Sequence, residues 1–242
     1  SKIMVIDDLA DRSHNCEILL DTTEGLKESE YKARVPKQCK LLLGAQYSLL
    51  RPQFTTYRPI ALQRRSLQAR AQRILVSMGG SDPFDTTSWV LRCIEQADIK
   101  LEIDVIIGAF APHSAQVKQQ ISRMKTNVRL YFQVENMAEL MSEADIAIGT
   151  AGTTSWERCC LGLPAIVLVT EENQRQVAET LHNLGVIISL GWFADLHENQ
   201  LIETLKNLIN NQQLRSEIGE TAASICDGKG VWRVAESMLN AD

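Results

Sequence analysis

The stretch that decides the fold is residues 144–174, ADIAIGTAGTTSWERCCLGLPAIVLVTEENQ. It begins with a short apolar strand (146–148) and continues through a loop of small residues into a helical segment. A second apolar strand (165–169) follows and ends in an acidic loop that carries two amides. Strand–loop–helix–strand units of this kind build parallel sheets. The stretch therefore predicts an α/β fold.

The same alternation extends over the chain from residue 73 to the C-terminus. Short, almost wholly apolar segments alternate with segments of helical spacing, and such strands are typical of a parallel sheet covered on both faces. We predict one doubly wound parallel sheet with strands at 74–78, 103–107, 128–132, 146–148, 165–169 and 186–190. Helices are predicted at 86–97, 114–124, 137–144, 154–161, 175–184, 198–209, 214–225 and 231–239.

Three loops with ligand-binding chemistry follow predicted strands, at 79–82, 149–155 and 171–174. The carboxyl ends of parallel strands meet at one edge of a sheet, which is where such sheets bind ligands. Glycines and hydroxyls at a loop leading into a helix can donate to phosphate, and Glu157 could accept ribose hydroxyls. The sequence thus favours a nucleotide diphosphate at this edge.

Each of these loops also has a purely structural interpretation. Thr153 or Thr154 could cap the helix, Asp82 could cap the helix after Pro83, and a carboxylate at Glu157 gains ~0.3–1 kcal/mol near a helix N-terminus. The Gly79 loop matches neither the dinucleotide-binding nor the P-loop pattern. The amides that follow the next strand favour the functional interpretation.

Residues 1–72 have a different pattern, with short apolar segments at 3–6, 17–20 and 41–43. We interpret these as the last strands of a sheet whose earlier strands are missing, so the chain is expected to be the C-terminal portion of a longer protein. The arginine-rich segment 51–72 is predicted to be a solvated linker or linker helix, with a phosphate-facing patch as the alternative. The predicted domains are 1–58 and 59–242.

Composition excludes several classes of protein. A net charge of −5 argues against a nucleic-acid binder. No apolar run approaches the ~20 residues that span a bilayer, and residues 1–8 do not have the pattern of a signal-peptide h-region, because acidic residues follow at once. The six cysteines lack C-x-x-C spacing, which favours reduced thiols and a cytoplasmic protein without a zinc site. Asp7 and Asp8 alone are a poor Mg²⁺ signature. His14 beside them is predicted to be a surface residue, with a general base as the alternative.

Four motifs, in the same order, resemble the PseG family of UDP-sugar hydrolases, which is similar to the MurG-type glycosyltransferases. They are DDLADR at 7–12, LLGAQYSLLRP at 42–52, MGGSD at 78–82 and GTTSWER at 152–158. The resemblance implies a GT-B-like protein whose C-terminal, Rossmann-like domain binds UDP and is preceded here by the C-terminal part of an incomplete N-terminal domain.

The implied reaction is hydrolysis of UDP-2,4-diacetamido-2,4,6-trideoxy-β-L-altrose, in which water inverts the anomeric carbon without a metal or cofactor. By matched position, Glu157 would hold the ribose. The diphosphate would be bound by Gly80, Ser81, Thr153 and Thr154.

On the sugar side the resemblance points to Asn173 and Gln174, with Asn173 as the candidate catalytic residue and Gln174 as a substrate-binding residue. The histidine of a Gly-His loop, which the family uses for catalysis, has no counterpart, and His14 does not match it. A tyrosine that the family has in the early part of its N-terminal domain also has no counterpart in this chain. The chain is therefore expected to bind UDP and to hydrolyse UDP-sugars poorly. The alternatives are a glycosyltransferase of the same fold and a non-catalytic nucleotide-sugar binding module.

Overall fold

The computed structural model describes residues 3–240, in which strands and helices alternate. The strands are β1 (Met4–Ile6), β2 (Ile18–Asp21), β3 (Lys40–Leu43), β4 (Arg73–Ser77), β5 (Glu102–Ile107), β6 (Val128–Phe132), β7 (Ile146–Thr150), β8 (Ala165–Val169) and β9 (Ile188–Trp192). The helices are α1 (Glu28–Tyr31), α2 (Pro52–Leu67), α3 (Thr86–Gln96), α4 (Ser114–Ile121), α5 (Met137–Glu143), α6 (Thr154–Cys160), α7 (Arg175–Asn183), α8 (Glu198–Asn210), α9 (Gln212–Ile225) and α10 (Gly230–Leu239).

The strands form two parallel sheets. The larger has the order β6-β5-β4-β7-β8-β9 and the smaller the order β1-β2-β3. In the larger sheet the chain moves outward from β4 to β6 and then returns to the other side of β4 with β7. The strand order therefore reverses between β4 and β7. This arrangement confirms the predicted α/β class, the doubly wound parallel sheet and its six strands.

Alternating side chains of the large sheet supply two cores. Leu75, Ala147 and Val167 face one core, which lies under α5, α6 and α7. Ile74 and Ile146 face the other, which lies under α3 and α8. Because both faces are buried, the strands read as continuous apolar runs and not as an alternation. The predicted helices begin and end within a few residues of those observed.

The arginine-rich segment forms α2, which packs along α5 and α6. Its first helical residue is Pro52, a position where proline costs no hydrogen bond. Arg58 and Arg65 donate to backbone carbonyls of the last turns of neighbouring helices, including those of Cys160 and Leu161. Of the predicted forms, a linker or a linker helix, the structure therefore shows the helix, and most of its residues are exposed or half-buried. Arg58 and Arg65, however, are not free in solvent but hold helix C-termini, where positive charge is favoured.

The small sheet is covered on its two faces by different elements. Leu19 packs with Tyr31 and the segments around α1. Ile18, Leu20 and Leu42 pack against Val234 of α10. The C-terminal helix thus returns to the N-terminal part of the chain. The predicted boundary between residues 58 and 59 falls within α2 and stays a prediction.

Candidate functional site

The strand-order reversal brings two loops together, at residues 79–82 after β4 and residues 150–154 around the end of β7. We call them the switch-point loops. Ser77 and Gly149 are paired at the ends of their strands, and a Cβ placed on Gly79 would lie 3.9 Å from Oγ1 of Thr150. Crevices at such reversals are the usual ligand sites of parallel α/β sheets. Of the predicted residues, Gly80 and Ser81 lie on the first of these loops and Thr153 and Thr154 on the second.

The first switch-point loop is held by Asp82. Its carboxylate accepts from the backbone N–H groups of Thr86 (2.9 Å) and Thr87 (3.0 Å), which satisfies the start of α3. Asp82 has a φ of 37°, a left-handed conformation that aspartate tolerates better than most residues. This arrangement confirms the structural interpretation of Asp82 and leaves Gly80 and Ser81 exposed.

Gly80 also lies against the loop after β5. A Cβ on Gly108 would overlap the carbonyl group of Gly80, so the two backbones touch and Gly108 must lack a side chain. This contact limits how far the first switch-point loop can move toward β5. At Gly80 the first switch-point loop therefore packs against the loop that follows β5.

The second switch-point loop leads into α6, which has only seven residues. Thr153 precedes the helix, but no side-chain capping bond is made there, so the predicted threonine cap is not formed. Gly152 and Thr153 are exposed and Thr154 is half-buried. Such a short helix has a small dipole, so any phosphate affinity here must come mainly from individual donors and nearby charges.

Glu157 lies one turn into α6 and is mostly buried, with 17% of its side chain exposed. Burial raises the pKa of this carboxyl group, and the positive charges of Arg51 and Arg158 oppose the rise. Nη2 of Arg51 lies 3.8 Å from Oε1 of Glu157, and Nη1 of Arg51 donates to the carbonyl of Glu135. The residue just before α2 therefore contacts the site.

Arg158 lies at the base of the reversal and is buried, with 4% exposure. Nη2 donates to the carbonyl of Thr150 (2.7 Å) and to Oγ of Ser155 (3.0 Å). A Cβ on Gly149 would lie 2.5 Å from its Nη1 and 2.7 Å from the carbonyl oxygen of Ser77. Burial lowers the pKa of Arg158 to about 10, so the group is still a cation at neutral pH.

The two predicted amides follow β8 in a short 3-10 turn. Oε1 of Gln174 accepts from the backbone N–H of Thr170 (3.0 Å) and from its hydroxyl (3.3 Å). The carbonyl end of this side chain therefore closes its own loop, whereas its NH₂ group is not used in those bonds. Asn173 is exposed on the same turn. Both residues lie on the same sheet edge as the switch-point loops, one strand farther along.

His14 is not the surface residue that the sequence suggested. Its side chain is 15% exposed, and Nε2 lies 3.5 Å from Oδ2 of Asp7. The same oxygen accepts from the hydroxyl of Tyr31 at 2.8 Å, and that hydroxyl is 2.7 Å from Oδ2 of Asp21. This buried cluster joins the ends of β1 and β2 to the segment around α1. Its contacts give it a structural role in the small sheet.

A cavity of about 350 Å³ lies elsewhere, between α2 and α9. Asp145 and Pro164, which precede β7 and β8, contribute to its walls, so it opens at the opposite edge of the sheet from the switch-point loops. Arg58, Arg65 and Arg215 line it while donating to helix-terminal carbonyls.

Within residues 3–240 no helix is long and apolar enough to cross a membrane.

Sequence reasoning did not assign Arg51 or Arg158 to the site. Arg51 belongs to the segment 51–72, whose first interpretation from sequence is a linker and whose alternative is a phosphate-facing patch. Its contact with Glu157 joins residues more than a hundred positions apart. Arg158 is next to Glu157 in the sequence, but its burial depends on Gly149 from another element. A glycine at the end of a buried strand, beside a buried arginine, is the signal that could have indicated it.

Comparisons with known proteins agree with this geometry. Residues 74–226 match the family described as Glycosyltransferase family 28 C-terminal domain. Spore coat polysaccharide biosynthesis protein SpsG of Bacillus subtilis is 31% identical over 193 residues, which is 79% of this chain and 56% of that protein. UDP-2,4-diacetamido-2,4,6-trideoxy-beta-L-altropyranose hydrolase of Campylobacter jejuni is 26% identical over 184 residues, 76% of this chain and 63% of that protein.

The crystal structure of MurG from Acinetobacter baumannii has a TM-score of 0.70 and 15% identity, and the likeness covers 92% of this chain and 66% of that one. This likeness confirms the predicted GT-B-like fold. The chain spans between 56% and 66% of the length of these three proteins. Because the family match covers more than half of the chain, this protein belongs to the family of glycosyltransferase family 28 C-terminal domains.

Proposed function

We propose that this chain is the UDP-binding half of a UDP-sugar hydrolase of pseudaminic acid or surface polysaccharide biosynthesis. The observation that carries the proposal is the pair of switch-point loops with Glu157 one turn beyond them. Similarity to the Campylobacter hydrolase and to SpsG supports the choice of substrate class. The motif resemblance given above supports hydrolysis.

In this proposal the loops hold the leaving group. Backbone and hydroxyl donors at Gly80, Ser81, Thr153 and Thr154 bind the diphosphate, whose negative charge grows as the bond to the sugar breaks. Glu157 accepts hydrogen bonds from the ribose. Asn173 and Gln174 face the sugar, and water attacks the anomeric carbon from the opposite side. No residue in this chain matches the base that would activate that water.

The chain contains no Gly-His dipeptide, which is the catalytic element of the resembled family. A positioned general base contributes roughly 10²–10⁴ in rate. We therefore expect this chain to bind UDP and to hydrolyse UDP-sugars slowly or not at all. Turnover of the chain at the rate of a full-length relative would contradict this expectation.

The first test is a calorimetric titration with UDP of the wild-type chain, Glu157→Ala and Glu203→Ala. Glu203 is an exposed glutamate on α8 and serves as the matched control. We expect the wild type and Glu203→Ala to bind alike and Glu157→Ala to bind at least about tenfold more weakly, because a hydrogen bond to a charged group is worth ~1.5–3 kcal/mol. Equal binding by all three would remove Glu157 from the site.

A glycosyltransferase is the second candidate, favoured by the family match and by the likeness to MurG. The two reactions differ in product. A hydrolase releases free sugar from a UDP-sugar, whereas a transferase couples the sugar to an acceptor. A non-catalytic binding module would bind UDP and stay inactive even when joined to the N-terminal half of a relative. Product analysis of such a fusion separates the three.

A further inference from the structure

Arg158 occupies an unusual place for a charged side chain. It is buried between the ends of β4 and β7, where the strand order reverses. Buried charges in proteins are normally paired, because removing an ion from water is costly. Among the ion pairs of residues 3–240, none includes Arg158, and its Nε has no hydrogen-bond partner. In this described part of the chain Arg158 therefore has no carboxylate within ion-pair distance, and the only carboxylate charge that acts on it through space is that of Glu157, its neighbour in the chain.

The surroundings of Arg158 are built to admit the guanidinium group. Gly149 leaves the space that Nη1 occupies, since a Cβ there would lie 2.5 Å from it. The carbonyl of Thr150 and the hydroxyl of Ser155 bind Nη2 from both ends of the second switch-point loop. Arg158 thus fixes the beginning of this loop to the first turn of α6. Loss of the side chain would release the loop as well as remove a charge.

The position relative to both loops suggests what the charge is for. A Cβ built on Gly149 would lie 2.5 Å from Nη1 of Arg158 and 2.7 Å from the carbonyl oxygen of Ser77, the last residue of β4. Because Ser77 and Gly149 are paired at the ends of β4 and β7, the guanidinium group lies beneath the point where both switch-point loops begin. A unit charge acts at several ångströms with little screening when it is buried. An anion held between the loops would therefore lie in its field.

We propose that Arg158 is a positioning residue that holds the second switch-point loop and makes the site selective for highly charged phosphate ligands, a nucleoside diphosphate over a monophosphate or a nucleoside. This proposal rests on the proposed function, because it needs the diphosphate to lie between the switch-point loops. It adds a determinant of ligand charge that acts from beneath the site without touching the ligand.

The test compares three ligands on three proteins. Affinities for UDP, UMP and uridine are measured by calorimetric or NMR competition titration with the wild type, Arg158→Met and Arg158→Lys. We expect Arg158→Met to lose roughly tenfold or more in UDP affinity, less for UMP, and less than about threefold for uridine. Arg158→Lys keeps the charge but not the fork of donors, so its UDP affinity should lie between the other two.

Arg215→Met is the matched control. Arg215 is also buried, at 7% exposure, and it also donates to backbone carbonyls, those of Leu208, Ile209 and Ala69. We expect its loss to lower thermal stability as much as Arg158→Met does and to leave UDP affinity unchanged. If Arg158→Met does not fold, Arg158→Gln, which keeps a hydrogen-bond donor but removes the charge, carries the test, through a loss of affinity for UDP that exceeds the loss for uridine.

The outcomes separate the two proposals. Suppose that the wild type binds UDP and that Arg158→Met loses affinity for UDP, UMP and uridine by the same factor. Arg158 would then only support the fold, and the charge proposal would be overturned. Unchanged UDP affinity in Arg158→Met would also overturn it. A wild type that does not bind UDP would refute the proposed function and this inference with it.

Discussion

Burial of the Glu157 carboxylate lowers the free energy of unfolding at neutral pH. Because burial raises its pKa in the folded state, the ionised carboxylate is less favourable there than in the unfolded chain. The cost is present above the folded pKa and disappears as the pH falls below the ordinary value of 4.5. A buried carboxylate kept under such a cost is typical of a binding site.

We predict that Glu157→Gln is more stable than the wild type at pH 7 and equally stable at pH 4, because glutamine carries no charge to desolvate. Urea unfolding midpoints at the two pH values measure this difference. UDP affinity at pH 7 should fall, since the amide accepts fewer hydrogen bonds than the carboxylate. Glu203→Gln should change neither quantity. A destabilised Glu157→Gln at pH 7 would contradict the cost that we assign to the carboxylate.

Gly149 is required by packing and not by a left-handed backbone, since it is not among the glycines with positive φ. We predict that Gly149→Ala loses about 1–3 kcal/mol of stability, the usual cost of overpacking, because its Cβ would meet Arg158 and Ser77. Gly152→Ala is the control, since nothing lies within 4 Å of its Cβ position. Chemical denaturation of both variants decides the matter, and equal stability would contradict the packing argument.

At the scale of the element, α3 and α6 begin in different ways although both follow a switch-point loop. The start of α3 is satisfied by Asp82, whereas α6 has no side-chain cap and is instead held to the loop by Arg158. Asp82 therefore fixes the first loop by a local bond, and Arg158 fixes the second from beneath. The two loops should respond differently when these residues are changed.

Asp82→Ala should lose about 1–2 kcal/mol of stability, because two backbone donors of α3 lose their acceptor. It should also weaken UDP binding, since Gly80 and Ser81 are part of the same loop. Asn211→Ala removes the cap of α9, which accepts from the N–H of Leu214, and should cost similar stability without affecting UDP. Thermal unfolding and UDP titration of both variants test this; equal UDP affinity in the two would separate Asp82 from the site.

At the scale of the whole molecule, α10 links the C-terminal end of the chain to the small sheet. Val234 packs against Ile18, Leu20 and Leu42, and Nη1 of Arg233 donates to the carbonyl of Gln46. Arg58 makes a second connection, from α2 to carbonyls of Cys160, Ala223 and Cys226. The small sheet is therefore joined to α10, and α2 to α6 and α9, by packing and hydrogen bonds between residues far apart in sequence.

We predict that Val234→Ala lowers the free energy of unfolding by about 2 kcal/mol, since it removes two buried methyl groups and leaves a cavity. Glu236→Ala, an exposed position on the same helix, should change it by less than about 0.5 kcal/mol. Urea denaturation followed by circular dichroism measures both. A larger loss for Glu236→Ala would show that α10 packs through a different face.

Much of this protein could be predicted from local pattern. Apolar runs located the six strands of the large sheet, the glycine after Leu161 marked the end of α6, and Asp82 was recognised as a cap. These features depend on neighbouring residues, so the sequence is sufficient for them. The approximate position of the site followed as well, because loops after parallel strands must share one edge.

The sequence by itself therefore determined the α/β class, the strands and the edge that carries the candidate site. Only the tertiary structure decided which strands flank the reversal and that Arg51 contacts Glu157. It also decided that the His14 side chain is mostly buried beside Asp7 and that Arg158 is buried beneath both loops. The physical reason is that backbone periodicity is local, whereas burial and charge pairing depend on groups that are distant in the chain. The residues next to an arginine in the sequence do not show whether its side chain will be exposed to water or buried in the folded core.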